Sequence, residues 1–129
     1  MNEESDGSLR LLDFIPMLVS LKSGNTVFLI DEIDRSLHPM LSYEILNCYL
    51  SNLSADKDSQ LIATTHESNL LNLDLIRQDE VWFVEKSADG ASHLTSLAEY
   101  KPREDIRKGY LMGRYGALPF FASLNDLKW

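Results

Sequence analysis

The chain has 129 residues, 44% of them hydrophobic and 25% charged, which suits a single domain (1–129) with its own apolar core. Its net charge of -8 excludes a surface that binds nucleic acid over its whole extent, and its single cysteine, Cys48, excludes an internal disulfide and suits a reducing compartment. No apolar run reaches the roughly 20 residues that cross a bilayer, and the acidic start does not resemble a signal peptide, so we expect a cytoplasmic protein.

The first predicted element is an amphipathic helix over residues 8–21. Pro16 lies inside this range and predicts a kink or an interruption. Ser5 and Gly7 come directly before it. A free helix N-terminus after Ser-x-Gly can hold an anion, because its N–H groups point outward and glycine permits close approach, although a plain helix cap has the same residues. The apolar residues of the predicted face recur three or four positions apart: Leu9, Leu12, Ile15, Leu18 and Val19.

The next predicted element is a strand over Val27–Ile30, a continuous apolar run of the kind that is buried on both faces of a parallel sheet. Asp31 and Glu32 follow where this strand would end, and ligands of open α/β sheets bind at that edge. Two neighbouring carboxylates repel each other unless a cation or a proton-transfer task accounts for them. A solvated turn after a core strand is the alternative interpretation.

A helix, a second strand and a histidine come next. Pro39 suits the first position of a helix that continues to about Leu53, and residues 60–64 form a second apolar strand. His66 follows the end of this strand, and Ser68 can cap a short helix. One helix between two strands fits a right-handed parallel crossover, so Glu32 and His66 are expected close together at one edge of the sheet.

The rest of the chain predicts a third strand over residues 80–85, a turn near Gly90 and a partner strand over 93–97. The resulting fold class is α/β, a parallel sheet flanked by helices with a small antiparallel hairpin. Residues 104–110 predict a short helix, and a glycine-punctuated packed loop follows. Residues 100–129 form an irregular tail with six basic and three acidic residues, either a solvated end or a contact for an anionic partner. Phe120, Phe121 and Trp129 are its candidate anchors or a partner-binding patch.

Glu32 and His66 are the candidate catalytic residues because a carboxylate pair and an imidazole at one edge can support hydrolysis of a phosphate bond. One carboxylate, Asp31, would hold the water shell of a metal ion, and Glu32 would polarise the attacking water. The imidazole would contact the charge that develops on phosphate.

The order D-E-I-D-R-S-L-H-P and then T-T-H resembles the nucleotide-binding domains of the ABC ATPase superfamily. More narrowly, it is similar to the bacterial AAA-type, ABC-like ATP-binding proteins of abortive-infection and restriction loci, relatives of the SMC ATPases. The resemblance covers nearly the whole chain, and its last part includes V-W-F-V-E-K and K-G-Y-L-M-G-R-Y-G, for which no role is implied.

The resemblance implies ATP and Mg²⁺ as cofactors and a role for each matched residue. Ser5 and Gly7 resemble the signature loop, which contacts the γ-phosphate of a nucleotide held by the opposite subunit. Asp31 resembles the Walker B aspartate, which faces magnesium through water, and Glu32 resembles the base. Asp34 lies in a segment that resembles the D-loop at the dimer interface, and His66 resembles the switch histidine.

The sequence departs from that family in one respect, since no G-x-x-x-x-G-K-[ST] occurs in it. That loop supplies much of the positioning and charge neutralisation in phosphoryl transfer, so the 129 residues alone are expected to bind ATP weakly and not to hydrolyse it. They resemble the C-terminal half of a P-loop NTPase-like domain without its Walker A strand. The expected partners are the missing half or a partner chain, and a second copy, because unpaired strand edges and apolar faces favour self-association.

Two other functions remain open on the sequence alone. A catalytically silent interaction or dimerisation module would keep the fold without turnover. A magnesium-dependent nuclease would use Asp31, Glu32 and Asp34 as a metal cluster, although no second acidic cluster follows another predicted strand. Nucleic acid is also a possible partner of a full-length parent protein, whereas no membrane is expected.

Overall fold

The structure, a computed structural model, describes residues 6–22, 24–54, 58–101 and 105–116. The chain divides into two compact units, residues 1–70 and 71–129. In the described part of the chain no helix could cross a membrane, and the longest, α1, has 15 residues.

The first unit contains two helices and a two-stranded parallel sheet. Its elements are α1 (Asp6–Ser20), β1 (Val27–Ile30), α2 (Pro39–Ser51), β2 (Gln60–Ala63) and a 3₁₀ turn, Ser68–Leu70. Strand β1 pairs with β2 in parallel, with Val27 opposite Gln60 and Ile30 opposite Ala63. The prediction that these two strands are neighbours, joined by one helical crossover, is therefore confirmed.

Helix α2 begins where the sequence predicts it. His38 is its N-cap residue, and Nδ1 of His38 accepts a hydrogen bond from the amide of Met40 at 3.3 Å. Pro39 occupies the first turn, where no intrahelical partner for its nitrogen is needed. This start fixes where α2 lies after the segment that leaves β1, and the helix buries Ser42, Ile45 and Tyr49.

Helix α1 buries a different face from the one predicted. Phe14, Met17 and Leu21 are buried, and they form one core with Ile33, Ile45, Tyr49 and Leu70. On the predicted face Leu18 is partly buried, whereas about half of the surface of each other residue is exposed. The prediction was therefore wrong for Leu9, Leu12, Ile15 and Val19. Apolar residues occur nearly all round α1, and their spacing alone could not select the buried side. Pro16 lies inside the helix without ending it.

Within the described residues the parallel sheet packs against the core on one face and exposes the other, which corrects the prediction of strands buried on both faces. Phe28, Ile30 and Leu61 pack against the core of the first unit. The residues that alternate with them point the other way: Val27 is 56%, Leu29 76% and Ile62 56% exposed. Alternation follows from the two-residue period of a strand, so each strand offers one apolar side to the helices and a second one to its surroundings.

The second unit is built on an antiparallel hairpin, not on a continuation of the parallel sheet. A 3₁₀ turn, Gln78–Glu80, leads to β3 (Trp82–Lys86), β4 (Ser92–Ser96), a second 3₁₀ turn, Leu97–Glu99, and α3 (Ile106–Leu111). Among the described residues β3 hydrogen-bonds with β4 alone, with Val84 opposite Leu94. The predicted hairpin is therefore confirmed, and among the described residues β3 is not hydrogen-bonded to the parallel sheet.

Aromatic rings form the core of the second unit. The ring of Phe83 stacks against those of Tyr110 and Tyr115, with centroids 5.8 and 5.3 Å apart. Tyr100 meets Tyr115 edge-on at 5.1 Å. Such pairs add about 0.5–1.5 kcal/mol each to the burial of their area, so this unit has a core of its own, with Val81, Leu97 and Ile106.

Gly109 is required for this aromatic core because the ring of Tyr115 lies directly over it. A Cβ at position 109 would lie 2.5 Å from the Tyr115 hydroxyl oxygen. We expect Gly109→Ala to lower the free energy of unfolding by about 1–3 kcal/mol through overpacking, despite the better helix propensity of alanine. Urea denaturation checks this, with the exposed neighbour substituted as Lys108→Ala for the control. Equal stability of Gly109→Ala and wild type would show that Tyr115 moves aside without cost.

Candidate functional site

The ends of β1 and β2 meet at one edge of the parallel sheet, and main-chain pairing continues beyond the strands. The amide of Thr64 donates to the carbonyl oxygen of Ile30 at 3.0 Å, and the amide of Ile33 donates to the carbonyl oxygen of Thr64 at 2.9 Å. Asp31 and Glu32 lie between these two bonds. The segment after β1 is therefore held against the segment that leads to His66.

The hydroxyl of Thr64 contacts both acidic residues. It donates to Oδ1 of Asp31 at 2.5 Å and accepts from the amide of Glu32 at 2.8 Å. The donated bond fixes one oxygen of the Asp31 carboxylate, and hydrogen bonds to a charged acceptor are among the stronger ones. Thr64 thus orients the side chain of Asp31 and the main chain of Glu32.

Thr65 makes a second link between the same two segments. Its hydroxyl donates to Oδ1 of Asp34 at 2.6 Å and accepts from the amide of Glu67 at 2.9 Å. Asp34, half-buried, is thereby attached to the segment on which His66 lies. Together, Thr64 and Thr65 connect two carboxylates that follow β1 with the residues that follow β2.

Arg10 holds the acidic pair from the side of α1. Its Nη2 donates to the carbonyl oxygens of Glu32 at 3.1 Å and of Asp31 at 3.4 Å. The guanidinium also lies 5.2 Å from the ring centroid of Phe14 and 3.4 Å from the carboxylate of Asp13. Its Nε is buried without a hydrogen-bond partner among the described residues. The positive charge of Arg10 is thus directed at the main chain of the two acids.

Glu32 adopts a left-handed backbone conformation, with φ of 50°. For a residue with a Cβ this conformation costs roughly 1–2 kcal/mol, and such residues persist where surrounding contacts over-determine them. Here the amide of Glu32 is held by Thr64 and its carbonyl by Arg10. Asn25 and Ser36 in the same unit are also left-handed, so the backbone angle alone does not mark a functional site. The Glu32 turn is distinguished by the contacts that hold it and by the acidic residues that form it.

The structure brings four of the predicted site residues to this edge. Asp31 and His66 are exposed there, and Glu32 and Asp34 are half-buried. Gly7 lies inside the first turn of α1, which begins at Asp6, so the predicted helix start just after Gly7 was placed too late. Ser5 lies outside the described residues.

The surroundings of Asp31 suit a magnesium ion bound by one carboxylate better than the three-carboxylate metal cluster of a nuclease. Mg²⁺ keeps several waters and binds one or two protein carboxylates together with substrate phosphates. A single exposed carboxylate at a sheet edge is therefore enough as the contribution of the protein. Within residues 6–22, 24–54, 58–101 and 105–116, no three acidic, histidine or cysteine side chains form a group able to hold a metal ion. The cluster that the nuclease hypothesis needs is therefore not formed by Asp31, Glu32 and Asp34.

Arg10 and Thr64 were not among the residues predicted from the sequence. A signal for Arg10 exists, because it is in phase with Phe14, Met17 and Leu21, so a charged residue occupies the buried stripe of α1. Thr64 was assigned to the second strand, where a β-branched residue is expected. Only the register of β1 against β2 places its hydroxyl beside Asp31.

Comparison with known protein families matches the part of the chain that contains this site. A family model described as "AAA domain, putative AbiEii toxin, Type IV TA system" matches residues 1–72, more than half of the chain. The match contains Arg10, the acidic segment, both threonines and His66. No curated protein and no solved structure matches the chain.

Proposed function

Since the chain belongs to this AAA domain family, that of the AbiEii toxin, we propose that it provides the hydrolytic side of an ATP site of the ABC type, related to the SMC ATPases. In this site Glu32 would polarise the attacking water, Asp31 would hold the water shell of Mg²⁺, and His66 would contact the charge that develops on the γ-phosphate. Asp34, Ser5 and Gly7 contact the nucleotide or the opposite subunit across a dimer.

The observation that supports this proposal is the hydrogen-bonded junction between the two strand ends. Asp31, bonded through Oδ1 to the Thr64 hydroxyl, and Glu32, bonded through its amide to the same hydroxyl, are both attached to a residue that lies two positions before His66 in the chain. A solvated turn would not need an arginine and a hydroxyl directed at the same two residues. An acid and an imidazole at one edge are groups that can serve a hydrolysis of ATP.

Magnesium follows from the charges at this edge. ATP is strongly negative, and Asp31, Glu32 and Asp34 are three carboxylates close in sequence within a chain of net charge -8. The triphosphate would be repelled from them without a cation between the two sets of charges. When bound, Mg²⁺ would neutralise the phosphates and orient water. The contribution of the protein is to hold Asp31 and Glu32 in place.

A phosphate-binding loop must come from elsewhere for this site to work. We propose that a segment with G-x-x-x-x-G-K-[ST], from a longer protein or a partner chain, completes the domain as its N-terminal half. The apolar sheet face formed by Val27, Leu29 and Ile62 supports this, because it offers a surface for further packing. A dimer of the completed domains would then form the signature and D-loop contacts, and nucleic acid would be a ligand of the whole assembly.

Phosphate release from Mg²⁺-ATP tests the proposal with two samples. The 129-residue chain alone is expected to show no turnover, because its sequence contains no G-x-x-x-x-G-K-[ST] loop to bind the β- and γ-phosphates. The complemented domain, meaning this chain fused to the phosphate-loop half of another AAA domain of the family, is expected to hydrolyse ATP. Turnover by the chain alone that is lost in Glu32→Gln would contradict the need for a second half, and a folded complemented domain without ATP binding would contradict the function.

A silent interaction module is the second candidate, and the same exposed sheet face favours it. In that case the complemented domain would bind its partner as before when Glu32 and His66 are replaced together. Loss of a function of the parent protein on these substitutions, with partner binding retained, favours the ATPase over the module.

A further inference from the structure

Thr64 uses every polar group it has on the four residues from Ile30 to Ile33. Its amide donates to the carbonyl of Ile30 and its carbonyl accepts from the amide of Ile33. Its hydroxyl donates to the carboxylate of Asp31 and accepts from the amide of Glu32. The whole acidic turn is therefore hydrogen-bonded to a single residue at the end of the neighbouring strand.

A hydroxyl is needed for this double role. The side-chain oxygen must give a proton to a carboxylate and accept one from an amide, which an ionised carboxylate cannot do. Threonine adds a branched Cβ that restricts χ1, so the oxygen stays directed at both partners. Valine has nearly the same shape without either hydrogen bond, and serine keeps the hydroxyl without the branch.

We propose that Thr64 is a positioning residue, which holds the carboxylate of Asp31 and the left-handed backbone of Glu32 in the geometry for hydrolysis. This proposal rests on the proposed function. Because Thr64 is two residues before His66, it also ties the acid side of the site to the imidazole side. A shift of the segment that carries His66 would then break both bonds of the hydroxyl together.

The experiment compares Thr64→Val with Thr64→Ser, and uses Thr26→Val as the matched control. The Thr26 hydroxyl donates to the carbonyl of Gly24 at 3.3 Å, at the opposite end of β1. In the chain alone, amide hydrogen exchange at Glu32 is expected to rise roughly five- to tenfold in Thr64→Val, the size of one lost hydrogen bond. Thr64→Ser is expected to stay near wild type, and Thr26→Val to leave Glu32 unchanged.

In the complemented domain, kcat distinguishes a positioning role from a purely structural one. There Thr64→Val is expected to lower kcat for ATP about ten- to hundredfold with KM unchanged, because a small misplacement of the base slows chemistry without weakening binding. Thr64→Ser should recover most of kcat. An unchanged kcat in Thr64→Val, or a loss of kcat that Thr64→Ser does not recover, would overturn the positioning role.

Failure of the proposed function gives a different pattern. If the complemented domain has no turnover in any form, the ATPase proposal is overturned and the catalytic role of Thr64 with it. The exchange measurement on the chain alone still decides whether Thr64 holds Glu32, because it requires neither ATP nor a second polypeptide. Equal exchange rates at Glu32 in wild type and Thr64→Val would show that it does not.

Discussion

Replacing Glu32 with glutamine is expected to lower kcat of the complemented domain by about 100-fold or more, because general-base catalysis typically contributes about 10²–10⁴-fold. Glutamine keeps the shape of the side chain and loses the negative charge that polarises water. The bonds that hold Glu32 to Thr64 and Arg10 involve its main chain, so they are retained. Steady-state phosphate release at saturating Mg²⁺-ATP measures the effect.

Glu44→Gln is the matched control for this prediction, since it removes the same charge from an exposed position on α2. It is expected to leave kcat unchanged. Binding of Mg²⁺-ATP by Glu32→Gln should remain close to wild type, because a catalytic base acts on water and not on the nucleotide. Full activity in Glu32→Gln would remove Glu32 from the catalytic role and favour the silent interaction module.

The arrangement of the site could be predicted in outline from the sequence because it depends on topology. Two apolar runs joined by one helix-length segment form a parallel pair, and the ends of such strands share an edge. The positions of Asp31, Glu32 and His66 at that edge follow from the register of Val27–Ile30 against Gln60–Ala63. The catalytic roles given to them remain predictions.

The burial of each face could not be predicted from the sequence, because it depends on what is packed against it. The run Val27–Ile30 has the composition of a fully buried strand, yet Leu29 is 76% exposed. The amino-acid composition of a strand indicates whether its side chains would be stable when buried. Whether they are buried depends on which other segments pack against the strand. The same holds for α1, whose apolar residues surround the helix while only one side meets the sheet.

The hydrogen bonds of Arg10 and Thr64 are the other part that the sequence could not supply. Each depends on a pairing between residues 21 to 33 positions apart, and on the direction of a side chain once the helix and strands are packed. Motifs gave the residues that would touch the nucleotide. The residues that hold those motifs in place are known only from the packed structure. Arg10 and Thr64 are two of them, and both lie outside the acidic motif.

Tyr49→Ala is expected to lower the free energy of unfolding of the first unit by about 3–5 kcal/mol, the range for truncating a buried aromatic residue. Tyr49 is 1% exposed in the core that also contains Phe14 and Met17. That loss is a large fraction of the roughly 5–15 kcal/mol by which small domains are stable. Urea denaturation followed by circular dichroism measures it.

Tyr49→Phe separates the ring from its hydroxyl in this prediction. Burial raises the pKa of Tyr49, and its hydroxyl oxygen has no hydrogen-bond partner among the described residues. Removing that oxygen is expected to change the free energy of unfolding by less than about 1 kcal/mol or to increase it, because a buried unpaired polar group is unfavourable. A loss in Tyr49→Phe as large as in Tyr49→Ala would show that the hydroxyl, not the ring, stabilises the core. Ile33, the residue after Glu32, is 1% exposed in the same core, so Tyr49→Ala should also speed amide exchange at Glu32, whereas Tyr49→Phe should not.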